Sequence, residues 1–209
     1  MAETTPSNAS EEQAASVGRG TAWALTITGL IGLVAAFVLL VEKIALLTDP
    51  TYVPSCSINP VLSCGSIMST DQAEVFGFPN PILGVAGFTA LLTIGVVLLT
   101  RANVPGWFWW GIQAGTAFGV VFVHWLIFQS LYRIGALCPY CMIVWVVVIT
   151  AFVATTTHNA RSGRLRLPKG LQDLAHYGPT VVTVWPVSYT HLRAHETVLD
   201  LVCRLLLEK

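Results

Sequence analysis

Charge is what this sequence most lacks. Only 11% of its 209 residues are Asp, Glu, Lys or Arg, against about 25% in an ordinary soluble domain. With 54% hydrophobic residues beside so few charges, the chain suits a bilayer better than water. No basic tract supports nucleic-acid binding. The formal net charge of zero says little about partners, because the distribution of charge orients a membrane protein and its total does not. No small-residue cleavage site follows the first apolar run at the usual distance. That run therefore reads as a retained span and not as a cleaved signal peptide.

What is present is apolar length. Crossing a bilayer takes roughly 20 mostly apolar residues in helical form. The chain supplies this four times: Trp23 to Val41 with a continuation to Leu47, Pro81 to Thr100, Trp107 to Tyr132, and Cys138 to Thr156. The sequence thus predicts an all-α integral membrane protein, a four-transmembrane-helix bundle with an outer loop that carries a short amphipathic helix. Small residues recur along the spans (Gly29 and Gly32, Gly84 and Gly87, Gly111, Gly115 and Gly119) and predict close helix packing. Residues 1–20 are polar and read as a disordered cytoplasmic tail, residues 21–157 as the membrane catalytic bundle, and residues 158–185 as a basic cytoplasmic segment that opens a fifth span. Over residues 186–209, His191, Arg193, His195, Glu196 and Asp200 stand where a span needs apolar residues. The fifth helix is disrupted there, and the segment, with Cys203, reads as a non-native tail.

Lysine and arginine orient the bundle. An inner N-terminus puts Arg19, Arg101, Arg161, Arg164, Arg166 and Lys169 on the cytoplasmic side, against Lys43 and Arg133 outside, as the excess of positive charge on inner loops requires. The sequence then predicts a multi-pass cell (inner or plasma) membrane protein with loops 49–80 and 133–137 facing outward. Cys56, Cys64, Cys138 and Cys141 all lie in or against those loops, on the oxidising side where disulfides persist.

"CPYC" at 138–141 opens the fourth span. In a helix its cysteines share one face at i and i+3, near enough to form a strained disulfide or to reduce one. The first turn of a helix favours a thiolate through its dipole and unpaired amides, and Pro139 costs little there. Cys56 and Cys64 in "CSINPVLSC" occupy a proline-bearing loop and form an exposed, mobile second pair. The two pairs make a relay in which electrons pass through a mixed disulfide such as Cys64 to Cys138, without a metal. A quinone fits as the acceptor: it dissolves in lipid, takes two electrons and two protons, and needs a hydrophobic slot with a few hydrogen-bond donors. Residues 66–76 between the pairs read as an amphipathic helix able to lid that slot.

The order of C-x7-C, "SIMSTDQAEVFGFPNPILG" and a helix opening with "CPYC" resembles the vitamin K epoxide reductase family, in its bacterial branch, over residues 20 to 160. The resemblance implies a four-helix bundle around a quinone that makes disulfides for an exported thioredoxin-like disulfide oxidoreductase. It implies that Cys141 faces the quinone with Cys138 as its disulfide partner, and that Cys56 and Cys64 are the shuttle pair. Asn80 matches an asparagine that hydrogen-bonds a quinone oxygen, Thr70 a Ser/Thr position near the active site, and Phe76 of the "VFG" turn is expected to bind the quinone with them. Trp145 stands where animal members carry a quinone-contacting tyrosine. Its indole donates but cannot accept, which favours a plain quinone, menaquinone, over an epoxide.

Duller readings stand beside these. Cys56 and Cys64 could form a structural disulfide only, all four cysteines could hold zinc, and Cys138 and Cys141 could be small core residues. Asn80 could cap the second span. Phe76, Trp145 and the "WFWW" at 107–110 could serve packing and the interface belt, His124 could be a satisfied buried histidine, and Asp71 and Glu74 a solvated face. Two other functions remain open: reduction of quinone epoxides, and a non-enzymatic membrane protein with structural disulfides.

Overall fold

The computed structural model describes residues 6–58, 62–102, 104–165 and 184, with the backbone alone described over residues 6–17. Most of the fifth span and the 186–209 tail inferred from sequence, with Cys203, lie outside the described residues. Four long helices, α1 (Pro6–Thr48), α3 (Asn80–Leu99), α4 (Gly106–Phe128) and α5 (Pro139–Arg161), frame the chain, and the short α2 (Cys64–Met68) lies in the first long loop. Four segments are long and apolar enough to cross a membrane: Gly18–Thr48, Asn80–Leu99, Gly106–Ile134 and Pro139–Arg161. These match the four apolar runs, and the chain is an all-α membrane bundle.

Helix α1 begins at Pro6, where the polarity of residues 1–20 implied disorder. Strong helix formers, Glu11 to Ala15 among them, let the span continue as helix. Residues 66–76 also differ from expectation. Instead of one amphipathic helix they form the end of α2 and a 3-10 turn, Asp71–Glu74. Ser63 starts α2 by accepting the Ser66 N–H at 3.3 Å, and the Ser69 hydroxyl closes it on Gly65 O at 2.9 Å. Side chains of this type compete with the helix ladder and stop it.

Helix α1 packs on α3 and α5, and α4 packs on α5. The α1–α3 contact depends on missing Cβ atoms. A Cβ at Gly29 would stand 2.6 Å from the Leu92 backbone nitrogen, and one at Gly95 would stand 2.6 Å from Thr26 Oγ1. Polar staples join α4 to α5: Gln113 Nε2 donates to Thr156 Oγ1 at 3.0 Å, and Asn159 Nδ2 donates to Gln113 Oε1 at 3.1 Å. Such bonds are worth about 0.6 kcal/mol each inside a membrane. Helices α3 and α4 barely touch, and a cavity lies between them.

After α4 the chain widens into a π turn, Gln129–Ile134, closed by Gly135 at φ 74°, a left-handed position where glycine costs least. This turn delivers residues 136–138 to the start of α5, and with them Cys138.

Candidate active site

All four cysteines assigned to the relay meet at one end of the bundle. Cys56 and Cys64 form a disulfide with Cα atoms 5.6 Å apart, while Cys138 and Cys141 are free thiols. Backbone pairing brings the two segments together. Leu62 and Leu137 form an isolated parallel bridge, and the Ser63 N–H donates to Leu137 O at 3.0 Å. That register sets Cys64 beside Cys138, with Sγ atoms 2.9 Å apart. Cys64 is 0% and Cys138 1% exposed.

The shuttle pair was expected to be exposed, and it is not: Cys56 is 4% exposed. The loop folds down because its sulfurs pack with Leu39, Met68 and Cys138 in one apolar cluster, which repays burial of the neutral disulfide.

Cys138 is the N-cap of α5, and its sulfur accepts the Cys141 N–H at 3.5 Å. A hydrogen bond from the Cys141 thiol, followed by backbone N–H bonds from Cys141 and Tyr140, holds the Cys138 thiol below the ordinary cysteine range against its burial. The neighbouring thiol is the larger cause, and the amides at the helix start add to it.

Cys64, Cys138 and Cys141 border the cavity of about 770 Å³ between α3 and α4, a size common among small-molecule sites. Its wall is apolar along most of its length, with Lys43, Thr70, Gln72 and Asn80 among its polar groups at the cysteine end. Asn80 lines it and ties down the loop above: Nδ2 donates to Gln72 O at 2.7 Å, and Oδ1 accepts the Val75 N–H at 3.3 Å. Asn80 is the first residue of α3, after an N-cap at Pro79. Thr70 lines the cavity with its hydroxyl turned back to Ile67 O at 2.7 Å. Trp145 is buried against Val123 and Ile127 and also lines the wall.

Phe76 does not line the cavity. It is exposed and packs on Phe78 and Phe122, ring centroids 6.1 and 5.9 Å away, and this aromatic contact holds its ring outside the cavity lining. Gly111 and Gly115 also depart from expectation: an added Cβ at either meets nothing within 4 Å, and both border the cavity. They hold space open where close helix packing was expected. His124 Nδ1 lies 2.7 Å from Val120 O within its own helix.

Two site residues escaped the sequence reading. Lys43, counted there only as an outer charge, is 5% exposed and lines the cavity, and its neighbour Glu42 is 7% exposed. Their signal was available: adjacent opposite charges near the end of an apolar run are costly unless partnered.

Among the described residues, Cys56, Cys64 and Cys138 are the one group of three metal-capable side chains, with sulfurs within 4.8 Å of one another. Two of them share a disulfide, which occupies their bonding capacity and suits thiol exchange better than metal ligation. Compared with known families, residues 23–156 match the model of the vitamin K epoxide reductase family. A search of curated proteins returns no match.

Proposed function

Since the chain belongs to the vitamin K epoxide reductase family, we propose that it oxidises thiols outside the membrane and passes the electrons through two cysteine pairs to a membrane quinone. The 2.9 Å approach of Cys64 to Cys138 across two segments far apart in sequence carries this reading. A purely structural disulfide has no need of a free thiol pair against it.

The exchange balances as follows. A dithiol of an exported thioredoxin-like protein reduces the Cys56–Cys64 disulfide and leaves with its own disulfide formed. The Cys64 thiolate then attacks Cys138 of an oxidised Cys138–Cys141 pair, giving a Cys64–Cys138 disulfide and a Cys141 thiolate. Cys56 attacks Cys64, restoring the shuttle disulfide and releasing Cys138.

The cavity fits a quinone by size, by its apolar wall and by the dithiol at its edge. Bound there, the quinone would supply the acceptor for two electrons and two protons, and menaquinone is the form proposed. Cys141 would face it, Asn80 and Thr70 would orient its polar end, and Trp145 would pack beside it and donate a hydrogen bond without accepting one. Phe76 is assigned a place in the loop above and no direct contact. The protein is placed in the cell membrane with its N-terminus inside and the cysteines outside.

Purified protein in lipid should oxidise an external dithiol only when quinone is supplied, and Cys141→Ser should lower that rate at least about 100-fold, as loss of a group acting in the transition state does. Equal turnover without quinone, or in Cys141→Ser, defeats the reading.

A further inference from the structure

Glu42 and Lys43 stand side by side at the cysteine end of α1, both more than nine-tenths buried, and they grip opposite flanks of the shuttle disulfide. The Glu42 carboxylate accepts from Tyr52 Oη at 2.9 Å, from the Ser55 N–H at 3.3 Å and from Ser55 Oγ, and Ser55 immediately precedes Cys56. The Lys43 ammonium donates to Met68 O at 2.7 Å and pairs with Glu74 Oε1 at 2.8 Å. Met68 ends the helix that Cys64 begins. One charge holds the chain entering the disulfide and the other holds the chain leaving it.

In this posture the disulfide can exchange in one direction only. Cys64 touches Cys138, yet neither shuttle sulfur is open to a thiol from outside, at 4% and 0% exposure. Exchange with an external partner therefore needs the loop to lift, and transfer to Cys138 needs it to settle. Charged hydrogen bonds in a partly dry site are the strongest of the polar contacts that hold it down.

We infer that Glu42 and Lys43 form a two-sided clamp that docks the shuttle loop and so divides the Cys56–Cys64 pair between exchange with Cys138 and exchange with external thiols. Both are positioning residues. The inference rests on the relay proposed above, and the experiment separates the two.

Full-length protein in lipid nanodiscs is prepared as Cys56→Ser with Cys138 and Cys141 oxidised. The Cys64 thiolate then attacks Cys138, a Cys64–Cys138 disulfide forms, the Cys141 thiolate leaves, and no Cys56 remains to resolve the product. Acid quenching and mass spectrometry give its rate of formation. Adding Lys43→Met should slow it by about tenfold, Glu74→Gln and Glu42→Gln should slow it less, and Lys43→Arg should restore most of it. With Cys56 present and the shuttle oxidised, the same substitutions should raise the rate at which β-mercaptoethanol opens Cys56–Cys64 into a mixed disulfide on Cys56 and a free Cys64 thiol. If Cys56→Ser alone traps nothing, the relay itself fails. If it traps and the clamp variants leave both rates unchanged, the clamp fails while the relay stands. Should Lys43→Met slow both rates through misfolding, Glu74→Gln decides, since its side chain is 39% exposed and its loss is tolerated best: slowing of both rates there overturns the clamp.

Discussion

Cys138 carries the densest chemistry in the chain because it touches both halves of the proposed relay. Its sulfur lies 2.9 Å from Cys64 and caps α5, and the Cys141 thiol with the first amides of the helix holds its pKa down. A depressed value keeps the thiolate populated to lower pH than in a free cysteine, near 8.5. With the shuttle disulfide intact, the ultraviolet thiolate absorbance that is lost in Cys138→Ser should titrate below that value, and Cys141→Ala should move the midpoint up. A midpoint at or above the free-cysteine value contradicts the assignment. The sign for stability follows: a thiol more acidic folded than unfolded stabilises the reduced protein above the unfolded pKa, and that contribution is lost as pH falls through the folded one. The same residue shows how burial and reactivity coexist, since exchange with Cys64 needs no access to solvent.

Among the helices, glycine has two uses that its spacing alone does not distinguish. Gly29 and Gly95 sit where α1 and α3 touch through their backbones, and a side chain there would meet Leu92 or Thr26 at 2.6 Å. Gly29→Val should therefore part the helices and cost about 1–3 kcal/mol, measured by unfolding in detergent. Gly115 faces the cavity with nothing within 4 Å. Gly115→Val should leave the unfolding midpoint close to that of the parent while raising the KM for quinone several-fold, on the order of the 1–3 kcal/mol expected when added hydrocarbon enters a fitted pocket. Equal stability losses in both variants would show that the cavity closes around Gly115 in the membrane. The loop elements add a second contrast: α2 and the 3-10 turn are short because Ser63, Ser69 and Thr70 turn their hydroxyls onto the backbone, and a broken roof can be fastened at several points, by Lys43 on one side and Asn80 on the other.

The whole molecule is polarised end to end. The four relay cysteines, Glu42 and Lys43 gather at one end, while Arg164 approaches Gly106 at the other, Nε 3.9 Å from an added Cβ. The orientation proposed from the charge bias of the loops has the cysteine end outside. In a background without native cysteines, Val53→Cys at the exposed loop should react with a membrane-impermeant maleimide added to intact cells, and Ala102→Cys, in the connection between α3 and α4, should react only after lysis. The reverse pattern would put the relay on the reducing side and remove its purpose.

The amino-acid sequence alone determined the class of this protein, its four spans and which cysteines are proposed as its relay. Each rests on composition or short-range spacing: apolar length for the spans, and i, i+3 cysteines at a helix start for the inner pair. The family was legible for the same reason, since its signature lies in order along the chain. Only the tertiary structure decided that the shuttle pair is buried, that Phe76 leaves the cavity, that Gly111 and Gly115 border it, and that Glu42 and Lys43 hold the loop. Those outcomes depend on pairings such as Leu62 with Leu137, 75 residues away, and on which helix pairs touch. Periodicity says which face of a segment is apolar, and it is silent on what that face meets.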